Sequence, residues 1–173
     1  MSHQTSALPI AYVFLRILIV LNWLSGIFIL AMLTATIVAQ DWTFRALGIT
    51  PESGIPQMIM GLRAIAALGL VAVVLSNGLL KRLLAIVETV KIGDPFVAAN
   101  AFRLHAIAWL LLGLQLLSMV IGGIGKAIST PQNPVALDAG FSPMGWLAVL
   151  LAFVLARVFA EGTLMREDLE GTV

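Results

Sequence analysis

"KIGDPFVAANAFRLHA", residues 91–106, is the stretch on which the fold turns. It gathers Lys91, Asp94, Arg103, His105, the amide of Asn100 and a helix-stopping Gly-Asp-Pro between two runs apolar enough for lipid. Gly93 suits the end of a helix, where left-handed backbone costs glycine least. Asp94 suits the N-cap of a following helix, and Pro95 its first turn, where no N–H is needed. One helix is therefore predicted to stop, and the next to start, within two residues. Upstream, "KRLLAIVETVK" contains no breaker, and Leu80, Leu83, Leu84, Val87 and Val90 recur at helical spacing. The helices on either side of the elbow should each reach about 33–35 residues, or about 50 Å at 1.5 Å per residue.

Composition explains what those long helices are for. The 173-residue chain is 60% hydrophobic and only 11% charged, with a mean hydropathy of +1.03, whereas soluble domains hold about 45–50% apolar residues. This is the composition of a membrane protein. A hydrocarbon core of about 30 Å needs about 20 helical residues. Four runs meet that need, at about 14–38, 58–80, 104–128 and 143–160. Backbone groups must be paired within lipid, and the alternation of a β-barrel is absent, so the runs are predicted to be helices. The fold class expected is an all-α membrane protein, four transmembrane helices in an antiparallel bundle, read as one domain over 1–173. The "MSHQTSALPIAYVF" start lacks a basic n-region and leads into an apolar run longer than a signal-peptide core, which predicts a retained first span.

The net charge of +1 gives no reason to expect nucleic-acid binding. Position says more than the sum. Arg16, Lys81, Arg82, Lys91, Arg103, Arg157 and Arg166 fall on one side of the predicted spans, while Arg45, Arg63 and Lys126 fall on or near the other. The positive-inside rule then puts both termini and the 81–103 connection in the cytoplasm of a bacterial inner membrane, and the two Pro-containing loops outside. Helices 2 and 3 are expected to extend past the bilayer into a cytoplasmic hairpin over 81–103. The tail 161–173 is predicted to dock on it as a helix, with Arg157–Glu161 and Arg166–Glu170 at i,i+4 spacing.

The elbow sequence Gly93-Asp94-Pro95-Phe96 followed by Asn100, Arg103 and Leu104, together with the tail residues Phe159, Glu161, Gly162, Asp168, Thr172 and Val173, resembles the bacterial membrane family of unknown function DUF2975. The resemblance covers most of the chain and is carried by its second half. It implies a four-span membrane protein of unassigned activity, whose members are often encoded beside a small helix-turn-helix transcriptional regulator.

Chemistry is sparse. The chain has no cysteine, which removes disulfides, thiolate metal sites and cysteine nucleophiles together. His105 has no second histidine near it for a metal site, and a hydrogen-bonded interfacial histidine is the expected role. "GGIGKAIS" at 122–129 has the wrong glycine spacing for a phosphate loop, and Ala127 stands where Ser or Thr is required. No nucleophile, base and oxyanion donor can be named together, so no enzyme activity, catalytic residue, metal or cofactor is expected. Small residues at four-spacing, such as Ser118 with Gly122, are expected to let helices approach closely.

Two sets of residues carry functional readings. Asp94, Phe96, Asn100, Arg103 and Glu161 would be displayed to a cytoplasmic partner such as a helix-turn-helix regulator. Asn22, Arg63, Asn77 and Gln115 lie within spans, where polar groups are costly, and could line a cavity in a small transporter or channel subunit. Arg63 is expected to pair with Glu52 or Asp138, or to snorkel outward. The bilayer is the first partner expected, with self-association left open.

Overall fold

A computed structural model describes residues 7–39, 42, 55–93, 95–131, 134–135 and 137–170. Its four long helices are α1 (Ala7–Val38), α2 (Ile55–Ile92), α3 (Ala98–Ile128) and α4 (Pro143–Glu170). All four are long and apolar enough to cross a membrane. The 38 residues of α2 correspond to about 57 Å at 1.5 Å per residue, against about 30 Å of hydrocarbon. The first three helices begin before the apolar runs that predict them, and α4 begins with its run at Pro143 and continues past it to Glu170. Hydropathy marks where lipid would be, whereas helix length is set by breakers and caps.

Among the described residues, backbones approach only between chain neighbours: α1 with α2, α2 with α3, and α3 with α4. Contacts between α1 and α2 pair early residues of one with late residues of the other. Tyr12 near the start of α1 lies 5.8 Å from the Lys91 ammonium near the end of α2, and Asn22 donates to the Val73 carbonyl at 3.0 Å. Farther along, Arg63 donates to the Thr36 carbonyl in the last turn of α1, where helix carbonyls lack intrahelical partners. The best-buried apolar cluster is Leu104, Ile107 and Ala156, with Leu79, Leu83, Ile86, Leu111 and Phe159 packed around it. It ties α2, α3 and α4 together towards the elbow end, and α1 stands at the edge.

The elbow differs from its prediction in one respect. Gly93 does end α2 with a left-handed φ of 94°, its N–H donating to the Val90 carbonyl at 3.1 Å. The N-cap of α3, however, is Val97, extended and without a side-chain cap; Asp94, expected there, lies outside the described residues. Asn100 holds the Pro95 carbonyl through its Nδ2 at 2.9 Å, residues 95–97 stay outside the helix, and the helix starts later. By contrast, α4 opens with a side-chain cap. Ser142 Oγ accepts from the Gly145 N–H at 3.1 Å, and Pro143 takes the first helical position.

At the opposite end, the connection between α3 and α4 lies down on α3. Ser118 Oγ accepts from the Gly140 N–H at 3.1 Å, and a Cβ on Gly122 would stand 2.5 Å from the Ala139 carbonyl oxygen. Ser118 and Gly122 therefore admit a loop backbone here, a use their spacing does not announce.

Candidate functional site at the elbow

Thr89 is the only hydroxyl in the last three turns of α2, and it lies on a face otherwise apolar apart from charged ends. Its Oγ1 donates back to the Ile86 carbonyl at 2.7 Å and accepts from Asn100 Nδ2 at 2.7 Å. Asn100 is fully buried. Its second amide donation goes to the Pro95 carbonyl, and its Oδ1 accepts from Arg103 at 2.8 Å. The same guanidinium nitrogen reaches the Ala85 carbonyl on α2 at 3.3 Å. A neutral amide has two N–H donors and one carbonyl acceptor, and all of them are used. The clasp joins α2, the linker and α3 through one buried side chain.

Phe96 packs outward from this clasp onto α4. Its ring stacks on Phe159 with centroids 5.2 Å apart and planes 29° apart. Gly162 lets the ring sit close, since a Cβ there would lie 3.2 Å from Phe96 Cδ1. One ring face is covered, yet Phe96 remains 43% exposed. Glu161, one residue before that glycine, accepts from Arg157 Nε at 2.7 Å on an exposed surface.

Of the five residues expected to meet a partner, then, Asn100 and Arg103 turn inward and hold the elbow together. Phe96 is half covered, Glu161 is exposed and ion-paired, and Asp94 lies outside the described residues. The four intramembrane polar residues are not gathered into one place. Asn22 and Arg63 serve the α1–α2 contact, whereas Gln115 packs against Gly145 between α3 and α4. Asn77 Oδ1 and Gln115 Nε2 are buried without a hydrogen-bond partner. Glu52, one partner expected for Arg63, lies outside the described residues.

His105 sits one turn farther along α3 than the clasp, and its Nε2 accepts from the Trp109 indole at 3.0 Å. Phe153 of α4 meets both rings edge-on, at 6.0 Å and 5.4 Å between centroids. This interhelical trio could be seen only in part from the sequence. The i,i+4 spacing of His105 and Trp109 was legible, but Phe153 is distant in the chain. Among the described residues, no three His, Asp or Glu side chains converge as a metal site would need. Searches against family profiles, curated proteins and solved structures find nothing that matches this chain.

Proposed function

We propose that the protein is a regulatory or sensing subunit of a bacterial inner membrane, belonging with the DUF2975 proteins, with both termini and the elbow in the cytoplasm. The α2–α3 hairpin and the end of α4 bind a soluble partner, and a helix-turn-helix regulator is the partner the resemblance suggests. Support comes from one observation: large apolar side chains stand exposed around a turn whose backbone is clamped. Ile92 is 84% exposed and Phe96 43%, while the Asn100 clasp holds the carbonyl of Pro95, next to Phe96. Exposed apolar groups on a rigid support are what protein interfaces use as anchors. The intramembrane polar residues lend less support to a transport reading, because they serve different helix pairs.

Co-purification of the tagged protein with any helix-turn-helix protein encoded beside its gene tests the proposal. Ile92→Ser and Phe96→Ala, outside the clasp, are expected to lose the partner at least tenfold while the protein keeps its helical circular dichroism. Full retention of the partner by both variants would make the elbow plain scaffolding.

A further inference from the structure

We infer that the groove between α3 and α4 at the elbow end is a binding site for an anionic phospholipid, its phosphate held by Arg157. The inference is independent of the soluble partner and of which side of the membrane the elbow faces.

The groove has a volume of about 660 Å³, within the roughly 300–1,000 Å³ of small-molecule sites. Alanines make it. Ala98 and Ala101 of α3 face Ala156 and Ala160 of α4, and their short side chains leave a slot where larger ones would close the contact. Phe102 and Phe153 wall it, and His105 and Arg157 supply polar groups. Among the described residues only α3 and α4 line the slot, so no other helix roofs it.

Depth and charge identify the occupant. Asn22 stands beside Val73, a Cβ on Gly78 would meet Leu110, and His105 meets Phe153. These pairings match later residues of one helix with earlier residues of the next, and they bring Arg16, Lys81, Arg82, Arg103 and Arg157 within about 12 Å of one another along the helix axes, about two helical turns at 1.5 Å per residue. A basic belt confined to about two turns at one end of the helices, next to the Trp109 indole, is the signature of a headgroup boundary. Basic pockets between membrane helices at that boundary attract anionic headgroups.

Within the belt, Arg103 is committed to the clasp, Arg16 lies over the Tyr12 ring, and Arg82 donates to the Gly78 carbonyl. Arg157 lines the groove itself, with its side chain 79% exposed. Its Nε reaches one turn farther along α4 to Glu161, which carries the guanidinium from the span towards headgroup level. Glu161 engages one of the five guanidinium donors, leaving the terminal nitrogens for a phosphate. Its negative charge also opposes an anion in the groove, which gives the proposal a second, opposite handle.

Trp109 is 57% exposed and touches two groove residues, so its fluorescence reports occupancy. The full-length protein, with Trp23, Trp42 and Trp146 replaced by Phe, is reconstituted in phosphatidylcholine vesicles. Brominated-chain phosphatidylglycerol or brominated-chain phosphatidylcholine is then added at equal mole fraction. The phosphatidylglycerol should quench Trp109 with roughly fivefold higher apparent affinity, the contribution of one basic side chain. Arg157→Gln should bring the two lipids to parity, and Glu161→Gln should widen the gap. Inorganic phosphate at constant ionic strength should leave the preference intact. Equal quenching by both lipids, an undiminished preference in Arg157→Gln, or competition by inorganic phosphate would each overturn the assignment.

Discussion

At one end of α3, Asn100 puts a complete amide into the turn and uses every one of its hydrogen-bonding groups; at the other, Gly122 puts nothing there, and a loop backbone fills the space. Both connections are tight. The first is specified by polar side chains that have to find one another, the second by the absence of a side chain. They should therefore fail under opposite kinds of substitution: the elbow when atoms are removed, the α3–α4 connection when atoms are added.

The largest effect is expected at Asn100. Asn100→Leu keeps the volume but deletes the donations to Thr89 and Pro95 and the acceptor for Arg103. Each buried polar group left unpaired costs about 1–3 kcal/mol, although hydrogen bonds within membrane bundles average nearer 0.6 kcal/mol. A loss of about 2–3 kcal/mol is expected in denaturant titrations in detergent. Asn100→Asp, which keeps an oxygen for Arg103 and can accept from the Thr89 hydroxyl, should lose about half as much. An Asn100→Leu protein as stable as the parent would show that the clasp is incidental.

The same contrast explains what the sequence could and could not reveal. The membrane helices were legible because transfer of apolar surface is roughly additive along a run, so Phe14 to Val38 announces itself without knowledge of any neighbour. Gly93 was legible for a local reason: a helix must end, and glycine accepts a φ of 94° with little strain. The clasp was not legible. Asn100 looked like a displayed polar residue because its spacing to Thr89 means nothing until the chain has turned back on itself. Val97 as N-cap was hidden too, because the donation from Asn100 back to the Pro95 carbonyl cannot be read from helical spacing. Gly162, which weakens a helix by propensity, gave a misleading local signal; the Phe96 ring needs the room that glycine leaves.

A smaller effect is expected at Gly122, where the balance has two sides. Gly122→Ala gains about 1 kcal/mol of helix propensity. It also places a Cβ 2.5 Å from the Ala139 carbonyl oxygen and 2.8 Å from Gly140 Cα, and backbone atoms cannot rotate away as a side chain end can. Overpacking of this kind costs about 1–3 kcal/mol, so a net loss of about 1 kcal/mol is expected. Protease sensitivity should rise in the 134–142 loop while the elbow is unaffected. A stabilised Gly122→Ala protein with an unchanged loop would mean that the loop does not lie in the glycine notch.

The smallest effect belongs to Arg157 and Glu161, which stand at the elbow end yet share nothing with its clasp. Their bond is short, 2.7 Å, but the side chains are 79% and 56% exposed. Exposed i,i+4 pairs contribute about 0.3–0.5 kcal/mol, and this one runs Arg before Glu, the less favourable order along a helix. Arg157→Gln and Glu161→Gln should each leave the unfolding midpoint within about 0.5 kcal/mol of the parent. A loss of more than about 1 kcal/mol in either variant would place the pair inside the cooperative core with Asn100. Stability that stays put while the two substitutions move lipid preference in opposite directions would separate the surface chemistry of α4 from the buried polar network that holds the elbow in shape.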